Sequence, residues 1–169
     1  MRGFPGDQGF KRISLQPGEL HFEQQCSELV VHTLLGSCVA MTFWHPRDKI
    51  GGMCHYLLPE RQQFCKNAHH PQGYYGTDVI EFFLQRIATT GHKPSAFQVK
   101  LFGGGHVMRL TDRLNPELNV ADANVRFGRT QLIAAGFTIK AEDVGGRRYR
   151  KVHFELASGN VWVQYGQYS

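Results

Sequence analysis

One thiol and one imidazole stand at equal distances from a single turn. Leu35-Gly36-Ser37-Cys38-Val39-Ala40 precedes the turn and Gly51-Gly52-Met53-Cys54-His55 follows it. Between them lie the apolar run Val39 to Trp44 and the breaker cluster His45-Pro46-Arg47-Asp48, then Ile50 to Leu58, a pattern that predicts two strands and a tight connection. The midpoint of positions 38 and 55 falls between Pro46 and Arg47. In that register Cys38 and His55 face each other across the pair, with Cβ atoms roughly 4.5–5.5 Å apart. A thiol beside a base can supply a thiolate, the form that attacks carbonyl carbon. A bulge shifting the register by one residue would turn His55 to the other face.

A strand cysteine is ordinarily a small buried hydrophobe. Local composition points elsewhere for Cys38. Gly36 and Ser37 give it a small, flexible entry where backbone N–H groups can approach a substrate oxygen, as an oxyanion hole requires. Gly51-Gly52 clear space opposite or mark a close backbone approach. Cys26 and Cys65 carry no such surroundings, and Cys54, adjacent to His55 in a strand, points to the opposite face as a core residue. A zinc site from Cys54, His55, Cys65, His69 and His70 lacks the usual ligand spacing, so no metal is expected.

The motif Thr33-Leu34-Leu35-Gly36-Ser37-Cys38-Val39-Ala40, followed by Gly51-Gly52-Met53-Cys54-His55-Tyr56-Leu57-Leu58-Pro59, resembles the signature of the CheD chemoreceptor glutamine deamidases. The resemblance continues through Lys100-Leu101-Phe102-Gly103-Gly104-Gly105, Asn124, and Ala141 to Phe154, and spans about Pro17 to Val163 in the family's order. It implies an α/β/β sandwich and the conversion of receptor glutamine side chains to glutamate, with Cys38 as nucleophile, His55 as base and Thr33 assisting. Some relatives have one more residue between the threonine and the cysteine, which would put His32 in the third place. Gly103 and Gly104 would join Gly36 and Ser37 around the oxyanion or the substrate rim. Gly105-His106 and Tyr149 depart from the pattern of many relatives. The implied partners are the cytoplasmic helical region of methyl-accepting chemotaxis receptors, as substrate, and a CheC-type phosphatase. The other reading is a non-catalytic partner in the chemotaxis assembly.

The elements that must position these groups follow from the rest of the chain. Its 169 residues, 41% hydrophobic, suit one domain, 17–169, after a flexible segment 1–16 rich in Gly, Pro and charge. A first helix is expected over Asp78 to Thr90, capped by Thr77 or Asp78 and stopped by Gly91. A second is expected from about Asp122 to Ala135, capped by Asp122 and closed by Gly136, with Gly128 inside it marking close packing. Glu28 to Leu35, Phe97 to Phe102, Phe137 to Val144, Lys151 to Leu156 and Val161 to Tyr165 read as further strands. Two helices out of strict alternation with many strands argue for an α+β fold, layered and mostly antiparallel, rather than a doubly wound parallel sheet. Gly103-Gly104-Gly105 lacks the Gly-Lys-Ser/Thr ending of a phosphate loop and reads as a rim loop.

A net charge of +5 and a pI near 9.2 allow an acidic partner, and Gly145-Gly146-Arg147-Arg148-Tyr149-Arg150-Lys151 concentrates the positive charge. Without stacking aromatics or a recognition-helix signature, this stretch reads as a solvated hairpin turn, not a nucleic-acid site. Through the resemblance, its basic residues could help hold a receptor helix. Sparse cysteines and no basic-then-apolar leader suggest a cytoplasmic protein, and no apolar run reaches the roughly 20 residues needed to cross a bilayer. Amide hydrolysis by such a pair needs water and no cofactor.

Overall fold

The computed structural model describes residues 9–61, 69–107 and 119–166. Val39 to Phe43 are buried at every position, as expected for a central strand covered on both faces. Among the described residues nine strands form two sheets: β1 (Lys11–Ser14), β2 (Leu20–Glu23), β3 (Leu29–Leu35), β4 (Val39–Trp44), β5 (Gly51–Cys54), β6 (Gln98–Gly103), β7 (Thr138–Val144), β8 (Tyr149–Glu155) and β9 (Val161–Gly166). One sheet runs β1-β3-β8-β9 and the other β2-β5-β4-β6-β7. Among these strands, β1 with β3 and β6 with β7 pair in parallel and the other neighbours antiparallel. The helices α1 (Gly76–Thr89) and α2 (Val120–Ala134) cover the free face of the five-stranded sheet. This is the expected α+β sandwich.

Strand alternation divides the core in two. Val39, Met41, Phe43, Cys54 and Tyr56 face the helices, where Phe43 stacks on Phe83 of α1 at 4.1 Å. Ala40, Met53 and Phe102 face the other way and meet Leu29, Val31, Leu35, Val152 and Phe154 of the second sheet. Cys54 is therefore a core residue on the face opposite His55, and burial pushes its thiol up to about 12. Gly128 of α2 packs so closely that a Cβ would lie 2.6 Å from the Tyr56 hydroxyl.

Several boundaries differ from the sequence reading. Lys11–Ser14 form an edge strand beside β3 rather than a loop-like start. Helix α1 begins at Gly76 without a side-chain cap, so neither Thr77 nor Asp78 caps it. Asn119, not Asp122, caps α2: its side chain accepts a hydrogen bond from the Asp122 N–H, which places Asp122 in the first turn. No bulge interrupts the β4–β5 pairing; a register shift lies instead between Val99 and Lys100, where β6 meets β7. The Gly51-Gly52 pair clears no space for a substrate. A Cβ on Gly51 would lie 2.4 Å from the Phe43 carbonyl oxygen, and one on Gly52 2.2 Å from that of His21 and 2.8 Å from the Phe83 ring. Strand and helix packing demand these glycines.

Candidate active site

Cys38 and His55 lie at the open end of the β4–β5 pair. Its register matches Thr42 with Met53 and Trp44 with Gly51, and the bridge between Val39 and Tyr56 continues it. His55 is thus opposite Ala40, and Cys38 is opposite Leu57. The direct opposition of Cys38 and His55 is replaced by a diagonal one, for which neighbours lie about 7–8 Å apart and their Cβ atoms somewhat closer. The slip is two residues, and an even slip preserves the face. Cys38, Ala40, Met53 and His55 all point between the sheets, so the two groups remain on one side.

Thr33 approaches from the other sheet. Its strand, β3, turns Leu29, Val31, Thr33 and Leu35 inward, and the Thr33 hydroxyl lies 2.7 Å from His55 Nδ1. The same hydroxyl donates to the Leu15 carbonyl at 2.8 Å. A hydroxyl has one proton, and a carbonyl can only accept. With that proton on the Leu15 bond, the Thr33 oxygen accepts from His55 Nδ1–H. The second nitrogen, Nε2, then carries the lone pair and is the basic atom. Nε2 is buried and has no hydrogen-bond partner among the described residues. His32, on the opposite face of β3, stacks against His153 at 5.7 Å and takes no part in this arrangement.

Electrostatics keep both groups neutral. His55 is 2% exposed, and burial pulls its pKa down to about 4. Burial also raises the half-buried Cys38 thiol above its ordinary value, against the opposing effect of the Ser37 side chain. At neutral pH the site holds a thiol and an unprotonated imidazole.

The glycine loops close over the cysteine. Gly104 N–H donates to the Cys38 carbonyl at 2.9 Å and Gly105 N–H to the Gly36 carbonyl at 2.8 Å. Gly103 and Gly104 have φ of +110° and +63°, and a Cβ on Gly103 would lie 2.2 Å from the Cys38 carbonyl oxygen. Only glycine lets this loop lie so close. Because Gly104 N–H is engaged with Cys38, it braces the rim and does not face a substrate. A Cβ on Gly36 would meet Val107 at 2.8 Å and the Tyr149 ring at 3.4 Å, so these two side chains flank the entry to Cys38.

Asn124, quoted in the sequence only as part of a motif, proves central to the local geometry. Fully buried on α2, it donates through Nδ2 to the Leu57 carbonyl at 2.8 Å and to the Ser37 carbonyl at 3.3 Å. Its own carbonyl accepts from the Tyr56 hydroxyl at 2.6 Å. One helix residue thereby fastens the chain just before Cys38 to the chain just after His55. A buried Asn inside a helix was the available signal, but its partners are 67 and 87 residues away in sequence.

Of the metal set considered from sequence, Cys54 and His55 point to opposite faces of the strand, and Cys65 lies outside the described residues. Instead His45, Asp48 and His92 bring ligand atoms within 4.8 Å of one another at the turn end of the hairpin. His45 Nδ1 there accepts from the Asp48 N–H at 3.1 Å, and the His45 and His92 rings stack at 4.0 Å with 24° between their planes. Lone pairs of stacked rings run side by side and do not converge on one ion. The cluster is a hydrogen-bonded turn.

A profile of the family described as "CheD chemotactic sensory transduction" matches residues 57–165. The chain is 43% identical over 155 residues to "Probable chemoreceptor glutamine deamidase CheD 3" of Dechloromonas aromatica (strain RCB), covering 92% of this chain and 88% of that one. It is 41% identical over 157 residues to a "Probable chemoreceptor glutamine deamidase CheD" of Pseudomonas syringae pv. tomato (strain ATCC BAA-871 / DC3000), covering 93% and 90%. With "Probable chemoreceptor glutamine deamidase CheD 1" of Chromobacterium violaceum it shares 37% over 163 residues, covering 96% and 82%.

Proposed function

This chain belongs to the CheD family, and from that premise we propose that it hydrolyses glutamine side-chain amides of chemoreceptors to glutamate and ammonia, with Cys38 as nucleophile and His55 as base. The observation that carries the residue assignment is the polarity of the Thr33–His55 bond. It leaves the basic nitrogen of a neutral, buried imidazole unengaged on the face shared with Cys38.

In this mechanism His55 Nε2 takes the thiol proton as the Cys38 sulfur attacks the amide carbon. The carbonyl oxygen becomes an oxyanion beside the backbone N–H groups of Ser37 and Cys38. The imidazolium returns its proton to the departing nitrogen, ammonia leaves, and the acyl group remains on sulfur as a thioester. Water, deprotonated by the same nitrogen, attacks the thioester carbon. The carbon–sulfur bond breaks, the thiol recovers its proton, and glutamate is released. Thr33 holds the ring throughout, and the Leu15 carbonyl holds Thr33.

Among the described residues no helix is long and apolar enough to cross a membrane. Action on the cytoplasmic helices of receptors, with a CheC-type phosphatase as regulatory partner, belongs to the same proposal. The test is mass spectrometry of a receptor cytoplasmic fragment incubated with the reduced wild-type protein. A gain of about one dalton at particular glutamines is expected, the change of an amide NH₂ for OH. An unchanged fragment from every receptor of the same organism would overturn the reading.

A further inference from the structure

The basic stretch between β7 and β8 is not a hairpin turn. Strand β7 belongs to the five-stranded sheet and β8 to the four-stranded one, so the segment crosses between sheets, and it does so beside Cys38. Gly145 N–H donates to the Gly103 carbonyl at 2.9 Å, and His106 N–H to the Gly146 carbonyl at 2.7 Å. The same glycine loop bonds Cys38 and Gly36. Among the described residues this loop lies between the basic segment and Cys38, and Tyr149 touches the entry at Gly36.

The three arginines of the segment have different work. Arg150 is buried and fully engaged, donating to the Gly145 carbonyl at 2.7 Å, the Gly103 carbonyl at 3.4 Å and the Asp143 carboxylate at 3.2 Å. Arg147 and Arg148 are exposed. The Arg148 guanidinium lies 4.8 Å over the Tyr165 ring, and the Tyr165 hydroxyl bonds Asp143. A stacked guanidinium is held flat while its in-plane N–H groups stay available for a carboxylate. Asp143, the acidic group at this groove of about 220 Å³, is already bound by Arg150 and Tyr165. The arm therefore presents two exposed cations, Arg148 held by its stack on Tyr165 and Arg147 next to it, and no ion pair joins either to an acid among the described residues.

We propose that this arm is the substrate-recognition element, and that Arg147 and Arg148 bind carboxylates lying one helical turn from the target glutamine. The proposal rests on the deamidase reading above and deepens it by naming the substrate class: helical segments with Glu or Asp three or four residues from the glutamine, on the same face. Like-charged segments are rejected by the same groups.

The test uses helical peptides with one glutamine flanked at those positions by Glu, Ala or Lys. Turnover is measured with the wild-type chain, Arg147→Glu/Arg148→Glu and Arg147→Ala/Arg148→Ala. For the Glu-flanked peptide the charge reversal should raise KM about tenfold or more while changing kcat far less, and the Lys-flanked peptide should improve. Wild-type kcat/KM for the Glu-flanked peptide should fall with added salt. Binding of the same labelled peptides to full-length Cys38→Ala protein, followed by fluorescence anisotropy, separates the two readings. If no peptide is turned over but the Glu-flanked one binds tightest and the arginine changes abolish that preference, the arm stands and the deamidase reading fails. Equal binding of all three peptides, or equal KM in all three proteins, overturns the arm whatever the chemistry. Thermal melting of the arginine variants checks that they fold.

Discussion

The β4–β5 hairpin holds a histidine at each end, and the two ends differ in what the imidazole has left over. At the turn end, His45 accepts the Asp48 N–H, its ring stacks on His92, and His92 Nε2 lies 2.6 Å from the Asp48 carboxylate. At the open end, His55 is bound on one nitrogen by a neutral hydroxyl and keeps the other unengaged. Both sets contain an imidazole against an oxygen. In the proposed assignment, what makes His55 the base is a buried ring whose tautomer is fixed and whose second nitrogen has no partner among the described residues. The turn end ties one nitrogen of each imidazole to Asp48 and so serves as a joint.

The sharpest way to break this contrast is to remove each histidine. His55→Asn should lower kcat/KM by about 10²–10⁴-fold, the range for a positioned base, while His92→Ala should leave turnover within about twofold. Comparable losses from both would end the distinction between site and joint.

Thr33 tests whether the tautomer matters. Thr33→Val keeps the shape but strands Nδ1–H and the Leu15 carbonyl, each a buried group whose loss of partner costs about 1–3 kcal/mol. A loss of roughly 10- to 100-fold in kcat is expected, at that price per unsatisfied group, with Thr33→Ser restoring most of it. A fully active Thr33→Val protein would show that the ring needs no such anchor. Asn124→Ala should cost about 1–3 kcal/mol of stability for its lost bonds and should also slow alkylation of Cys38. A loss of stability with unchanged Cys38 reactivity would restrict Asn124 to packing.

Acid provides a milder probe. His55 titrates near 4 in the folded chain, below its ordinary 6.5, so it is already unprotonated throughout the neutral range. The rate should rise with pH through about 4 and be level by neutrality, where an ion-pair mechanism would keep a histidine limb near or above 6.5. Unfolded chains take up the proton first, at 6.5. The stability linked to His55 is therefore complete above 6.5 and lost as pH falls toward 4.

Much of this was legible in the residues. The run from Val39 to Trp44, the breakers after it and the glycines before Cys38 predict a strand pair with thiol and imidazole on one face. The pair survives a register error because the error is even. The crossover of β7 to β8 between sheets was hidden, since a Gly-Gly turn between two short strands looks the same whether they pair or part. Strands β1 and β2 are too short to stand out: each has only four residues, β1 is exposed but for Ile13 and carries no alternation, and the alternation of Leu20-His21-Phe22-Glu23 spans a single pair of repeats. Thr33 reads locally as a β-former, and only the packing of one sheet on the other brings it to His55. Asn119 outdid Asp122 as a cap because its carboxamide reaches the N–H three residues on.

The central claim is that Cys38 carries the acyl group. Full-length protein turning over a receptor fragment is quenched in acid, digested and analysed by mass spectrometry, with Cys38→Ala run alongside. The account predicts an adduct on the Cys38 peptide equal to the substrate segment less ammonia, about 17 Da, which hydroxylamine removes, and no deamidation by the variant. Deamidation that persists in Cys38→Ala, or an acyl adduct on another residue, would contradict it.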